Sequence, residues 1–276
     1  MFQPYQDLLD GKPGYQGEIA EYLPDPIAVG AVGGSGTRVI AQILADTGIT
    51  MSTPKNQSND ALEWPPMRAL MNNPELAGIP LTLRYRQAFN GLEKLLHLKR
   101  HQEGNSDGRA GWKVPGTHIW LEQLAAFFPQ MQYIHIMRNG LDMAYSDNQQ
   151  QLKLWGSLYG VEASSSLDEK ASPEDALEYW LRANEKVLEF GRATLGDRLH
   201  IIRFEELCTA PQATVASMLS FLQMDATIEE THRLSSGIRR PATIDRYLSN
   251  DWQSTFSKQQ LARVEALGYL PGKHNA

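Results

Sequence analysis

The sequence predicts an α/β fold, a single domain with a central parallel sheet flanked by helices. Three observations carry that prediction. Short apolar runs rich in β-branched residues alternate with stretches of helical period along the chain. The first run, residues 27–32, leads through Gly33-Gly34-Ser35-Gly36-Thr37 straight into a helical pattern. No internal repeat and no clear linker interrupts the 276 residues, so one domain is expected over 1–276, with 1–24 as an N-terminal extension.

Taken in order, residues 27–32 read as a buried strand. Val39, Ile40, Ile43, Leu44 and Thr47 then recur at helical spacing, with Gly48 where a C-cap belongs. Residues 52–80 are rich in Pro, Asn and Ser, with a short helical piece near 61–71. Residues 81–103 read as a basic helix, 109–115 as a short strand stopped by Pro115, and 117–129 as a helix capped by Thr117. A strand follows over 132–138, and a helix starts over 141–155. Residues 156–172 are polar. Ser172-Pro173-Glu174-Asp175 is a helix start, with Pro at N1 and an acid at N3. Leu177, Trp180, Leu181, Asn184, Val187 and Leu188 line one face of that helix. A strand over 199–204, a helix over 211–224 and a last helix near 258–267 complete the pattern.

Composition excludes several classes. A net charge of −6 argues against unspecific nucleic-acid binding, though not against a local basic pocket. The single cysteine, Cys208, forms no internal disulfide and no cysteine-rich metal site. It is expected as a packed thiol. No apolar run reaches membrane-spanning length, and the polar N-terminus has no signal-peptide pattern, so a cytoplasmic protein is expected. His97 and His101 share a helix face without the intervening Glu of a zinc-protease motif, and no metal is expected.

The turn at 33–37 suits a phosphate or sulfate group. Glycines let backbone N–H groups approach an anion, the following helix adds its positive end, and Ser35 and Thr37 bring hydroxyls. It lacks the lysine of the Walker pattern and the spacing of the dinucleotide fingerprint. A second signal lies in "IHIMRNGLDMAYS". There Arg138 ends a strand, Asn139-Gly140 turn the chain, and Ser146 is placed within the first two turns of the next helix. A guanidinium and a hydroxyl on one crevice can grip one phosphate together. The competing reading pairs Arg138 with Asp142 and leaves Ser146 on a helix surface.

Together these stretches resemble the sulfotransferases that use 3′-phosphoadenosine-5′-phosphosulfate (PAPS). "GGSGTR" is similar to the loop that holds the 5′-phosphosulfate in that family. Arg138 and Ser146 have the spacing of the pair that holds its 3′-phosphate. "IIRFEELCTAPQATVASMLSFLQM" is similar to the family's strand, acidic turn and helix, and Arg239-Arg240 to its C-terminal basic pair. The likeness runs from about residue 27 to 245. It implies PAPS as co-substrate, held by Gly33, Gly34, Ser35, Gly36, Thr37, Arg38, Arg138, Ser146, Arg239 and Arg240, with no metal. It implies transfer to a hydroxyl or amine, with a carbohydrate or glycolipid precursor as the expected acceptor.

Gly34 departs from most of the family, which carries Lys or Arg there. Lys113 is the first candidate for the missing cation and Arg38 the second. Asp60 and Glu63 are the leading candidates for the base, ahead of His118, and Asp60 competes with a plain N-cap role. Segments 52–110 and 150–172 are the expected acceptor side. Two other classes stay open: a relative that binds the nucleotide with weak transfer, suggested by Gly34, and a P-loop small-molecule kinase.

Overall fold

The computed structural model describes residues 22–23, 25–52, 56–61, 74–106, 108–162 and 170–269. β1 (Ile27–Ala31) is buried along its whole length, as a strand covered on both faces must be. α1 (Thr37–Asp46) leaves the glycine turn and stops before Gly48, whose φ of +88° is the left-handed geometry expected of a C-cap glycine. With β2 (Thr50–Met51), β3 (Ala110–Lys113), β4 (Gln132–Met137) and β5 (Leu199–Arg203), β1 builds one five-stranded parallel sheet in the order β2-β3-β1-β4-β5. The register sets Val29 opposite Lys113. The remaining helices are α2 (Leu81–Gln102), α3 (Leu121–Phe127), α4 (Gly140–Ala144), α5 (Gln150–Trp155), α6 (Pro173–Phe190), α7 (Phe204–Thr209), α8 (Pro211–Phe221), α9 (Ile228–Ser235), α10 (Trp252–Thr255) and α11 (Lys258–Ala266).

Two compact units divide the chain, residues 1–29 with 40–133, and residues 30–39 with 134–276. In the first, Phe89, Leu92 and Leu96 form the buried stripe of α2, and Phe89 meets Phe127 edge-on at 5.5 Å. Trp112 of β3 packs on Phe128 at 5.7 Å. Elsewhere on α2, Lys94, Leu95, Leu98 and His101 are exposed, while His97 is half-buried with its ring 4.8 Å from that of Tyr22. Among the described residues no cluster of side chains could hold a metal ion, and no helix is long and apolar enough to cross a membrane.

In the second unit the core gathers Leu141, Leu177, Trp180, Leu181, Ala183 and Tyr247. Ser172 caps α6 as its sequence requires, accepting from the Asp175 N–H at 3.1 Å. His135, in the middle of β4, is fully buried. Its Nε2 donates to Asn184 Oδ1 at 2.9 Å, while Asn184 Nδ2 donates to the Trp180 carbonyl at 2.7 Å. Burial pushes His135 down to about 4 from an ordinary 6.5, with the Asn184 bond opposing. The unfolded chain therefore takes up this proton first as the pH falls, and the folded state loses ground. Stability is expected to drop by roughly 3 kcal/mol between about pH 6.5 and pH 4 on this account. Urea unfolding across that range tests it: a His135→Asn variant that keeps the wild-type slope removes the assignment.

Two expected elements differ. Residues Pro115–Trp120 form a 3-10 turn and α3 starts only at Leu121, so Thr117 is not its cap. The Thr117 hydroxyl instead donates to the Val114 carbonyl at 2.8 Å and accepts from Trp112 Nε1 at 3.3 Å. The helix expected over 141–155 is two short ones, α4 and α5, parted by Tyr145–Gln149. The run Ser146-Asp147-Asn148 explains the break: the Ser146 Oγ accepts from the Asn148 N–H and the Asn148 Oδ1 from the Gln150 N–H, in competition with helix bonds. The expected helical piece at 61–71 lies, from residue 62 on, outside the described residues.

Candidate functional site

The glycine turn owes its shape to two positive φ angles, +74° at Gly33 and +79° at Gly36. A Cβ at Gly36 would stand 2.3 Å from the Phe204 ring, and one at Gly33 would stand 2.2 Å from Met143 Cε. Both positions therefore need glycine for the backbone angle, and Gly36 also for a close approach to a ring. The Ser35 hydroxyl is fully buried and donates inward to the Val32 carbonyl at 2.8 Å, while its N–H bonds the Gly33 carbonyl at 3.1 Å. Ser35 thus braces the turn and does not present the hydroxyl donor expected of it. Among the described residues, no protein acceptor takes the N–H groups of Gly34, Gly36 and Thr37. With the start of α1 behind them, they leave a cluster of donors that suits an anion. Gly36→Ala is expected to cost about 1–3 kcal/mol from φ strain and the Phe204 clash, and a melting temperature equal to wild type would contradict it.

Arg138 follows β4 and is 5% exposed. Its Nη1 donates to the Gly34 carbonyl at 3.5 Å, and its Nη2 donates to Thr243 O at 2.6 Å and Thr243 Oγ1 at 2.9 Å. The guanidinium lies over the Phe204 ring at 5.1 Å. Phe204 therefore sits against both the glycine turn and Arg138. Burial pulls the guanidinium down from its ordinary value, with Asp142 and Glu205 opposing and Arg246 assisting. Asp142 is a loose partner at 4.0 Å, because its oxygens are taken by the N–H groups of Asp245 at 2.9 Å and Tyr247 at 3.3 Å. The competing reading of a simple Arg138–Asp142 pair is thus too narrow: both residues anchor the segment 243–247. Burial raises the Asp142 carboxyl, and these N–H bonds offset part of that rise.

Asn139 caps α4 through the Leu141 N–H at 3.0 Å, and its own N–H donates to Glu205 Oε1 at 2.9 Å. Burial raises Glu205, with the Asn139 N–H opposing. Ser146 stands beyond the end of α4 and not on a helix as expected. Its N–H reaches the Met143 carbonyl at 3.1 Å, and its Oγ accepts from the Asn148 N–H at 3.2 Å, which leaves the hydroxyl hydrogen available to donate. Arg239 donates to the Ser236 carbonyl at 2.5 Å and the Ile238 carbonyl at 2.8 Å, and Arg240 pairs with Asp245 at 2.6 Å. Arg38, one residue into α1, is exposed. Cys208 is half-buried and its thiol contacts the Arg239 carbonyl at 3.7 Å. Burial and Glu205 raise it, which fits an unreactive packed thiol.

Gly34 is exposed, and a Cβ there would meet only Asn148 Nδ2, at 3.9 Å. Gln151 carried no signature in the sequence, yet its side chain bonds this turn: Oε1 accepts from the Gly33 N–H at 2.8 Å.

In the first unit, Lys113 ends β3 and is buried. Its ammonium donates to the Ser58 carbonyl at 2.5 Å and pairs with the Asp60 carboxylate. The helix start for which Asp60 competes as a plain N-cap lies outside the described residues. Asp60 closes a small turn in which Asn56 Oδ1 accepts from the N–H groups of Ser58 at 2.8 Å and Asp60 at 2.9 Å. Asn59 takes the left-handed φ of +60° that the turn demands. The Ala61 N–H donates to the Lys113 carbonyl at 3.0 Å, tying the turn to the strand end. His118 is buried in the 3-10 turn after β3. Glu63 lies outside the described residues.

Solved structures similar to this chain include the sulfotransferase domain from the curacin biosynthetic pathway, at 17% identity over 90% of this chain and 99% of that one, with a TM-score of 0.53. The sulfotransferase domain from the Synechococcus PCC 7002 olefin synthase is 16% identical over 90% and 95%, with a TM-score of 0.55. Sulfotransferase STF1 from Mycobacterium tuberculosis H37Rv is 14% identical over 95% and 81%, also at 0.55. At such identities the likeness is one of fold. No curated protein sequence matches the chain. The model of the sulfotransferase family, however, matches residues 26–228, well over half of the 276 residues and inclusive of the glycine turn, Arg138 and Ser146. The chain therefore belongs to the sulfotransferase family.

Proposed function

We propose that this sulfotransferase moves a sulfuryl group from PAPS to a hydroxyl or amine of a carbohydrate or glycolipid precursor. The observation that carries the reading is the joint placement of the glycine turn and Arg138. Unclaimed N–H donors at Gly34, Gly36 and Thr37 suit the 5′-phosphosulfate, and a buried guanidinium that touches the same turn, with the Ser146 hydroxyl following it, suits the 3′-phosphate. Arg239, Arg240 and Arg38 add positive charge to that binding role. In the reaction the acceptor oxygen or nitrogen bonds to sulfur and the bond from sulfur to the phosphate oxygen breaks. The acceptor proton passes to a base, and 3′-phosphoadenosine 5′-phosphate (PAP) leaves. Fixed N–H groups and cations offset the charge that grows on the leaving phosphate. Lys113 is the proposed cation, ahead of Arg38. Asp60 and Glu63 together are the proposed bases, ahead of His118.

Transfer of labelled sulfate from PAPS across a panel of sugars, glycolipids, phenols and amines, with PAP release as a second readout, tests the reaction and the acceptor class. A thermal shift with PAP and none with ATP removes the kinase reading. Absence of any PAP shift would sink the proposal. The open space at Gly34 favours one second reading, a nucleotide-binding relative with weak transfer. PAP binding without sulfate transfer to any acceptor identifies that case.

A further inference from the structure

Gln151 does two jobs at the entrance of the glycine turn. Its Oε1 accepts from the Gly33 N–H at 2.8 Å, and its Nε2 donates to the Ala31 carbonyl at 3.3 Å. One side-chain amide therefore spans the two backbone groups on either side of Val32, at the point where β1 ends and the turn begins. Tyr179 of α6 backs it, with its hydroxyl donating to the same Oε1 at 3.4 Å. The neighbouring Gln149 is tied elsewhere, by paired bonds to the Ala171 backbone at 3.1 and 2.8 Å, which holds the start of α5 in place. Gly33 needs this partner. It has the left-handed φ of +74°, and glycine is the residue with the most backbone freedom to lose. A cavity of about 30 Å³ borders Gly33, Gln151, Tyr179 and Met143. Met143 also packs against Gly33, but its terminal methyl offers the Gly33 N–H no acceptor, so that bond depends on the amide.

We propose that Gln151 is a positioning residue for the donor's phosphosulfate end, and that Tyr179 orients its amide. This rests on the reading of the turn as the phosphosulfate loop. By occupying the Gly33 N–H from behind, Gln151 fixes the peptide planes that follow, so that the donors of Gly34, Gly36 and Thr37 point to one anion. Gln151 touches the loop and not the donor, so its loss weakens ligands through their 5′-phosphate alone.

That asymmetry supplies the test. PAP carries both phosphates, whereas adenosine 3′-phosphate carries only the one assigned to Arg138 and Ser146. Calorimetric titration of the full chain with each ligand comes first. If wild type binds no PAP, the parent reading fails, independently of Gln151. If it does, Gln151→Ala is expected to bind PAP about tenfold more weakly and adenosine 3′-phosphate with unchanged affinity. Arg138→Ala is expected to weaken both. Tyr179→Phe, which removes one hydroxyl and keeps the ring, is expected to weaken PAP about two- to threefold in the same selective way and provides the readout if Gln151→Ala does not fold. Gln151→Glu keeps the acceptor for Gly33 but sets a carboxylate oxygen against the Ala31 carbonyl and places negative charge beside the loop. It is expected to bind PAP more weakly than Gln151→Ala, most of all at low salt. Wild-type PAP affinity in Gln151→Ala, or an equal loss for both ligands, overturns the proposal. Where only Tyr179→Phe is soluble, an unselective or absent effect overturns it likewise.

Discussion

Arg138→Ala is expected to weaken PAP binding by about 30-fold or more, roughly 2 kcal/mol, the scale of a charge-assisted bond to a desolvated phosphate. The side chain is 5% exposed and Phe204 covers one face of it, so little water shields its charge. Its Nη1 already reaches across to the Gly34 carbonyl, which ties the guanidinium to the loop. Its second nitrogen holds Thr243. The variant therefore releases one tether of segment 243–247, but Asp142 still holds the N–H groups of Asp245 and Tyr247. For that reason the loss should appear mainly in ligand affinity. Arg138→Lys keeps a charge but not the fork, and should fall between wild type and Arg138→Ala. Calorimetry with PAP, beside melting curves of the unliganded proteins, reads both effects. Affinity unchanged in Arg138→Ala, with the fold intact, would remove Arg138 from the nucleotide site and leave it as an anchor of the C-terminal segment.

The parts of this site that were legible in the sequence are those set by local chemistry. A fully buried parallel strand shows as an unbroken apolar run, so β1 and the turn after it could be placed from residues 27–37 alone. Ser172-Pro173 announces α6 because cap and first-turn preferences act within four residues. Where local choices are nearly equal in energy, sequence pattern and structure part. Thr117 has the look of an N-cap, yet Pro115 starts a 3-10 turn whose carbonyl at Val114 takes the hydroxyl first. Ser146 has the spacing of a helix residue, yet Asp147 and Asn148 beside it signal a break, and its hydroxyl accepts the Asn148 N–H there. Ser35 has the look of a donor to the ligand, but in a turn this tight its hydroxyl finds the turn's own Val32 carbonyl. The contacts of Gln151 with Gly33 and of Arg138 with Thr243 were beyond reach for a different reason. They join residues more than a hundred positions apart, and no spacing rule connects them.

Lys113→Met is expected to lower turnover about 100-fold or more, the scale of losing one fixed positive group beside a leaving oxygen, while PAP affinity changes by less than about threefold. The expectation follows from how the lysine is held. A buried ammonium is stable only when its protons have partners, and here the Ser58 carbonyl and the Asp60 carboxylate supply them. The turn that brings both is built in advance by Asn56 and by the left-handed Asn59, and the Ala61 N–H pins it to the Lys113 carbonyl. In the role proposed for Lys113, a charge fixed in this way would contribute to the transition state without reorganising, which is where rate and not ground-state binding is gained. Methionine keeps the aliphatic stem in place. Asp60, whose side chain is 29% exposed, keeps water and the Asn56 amide as partners, so the fold should survive. Asp60→Asn separates the two roles proposed for that carboxylate. If Asp60 only holds Lys113, turnover falls modestly and its dependence on pH is unchanged; if it is the base, turnover collapses at every pH. Normal turnover in Lys113→Met, together with a collapse in Arg38→Ala, would move the cation to the first turn of α1.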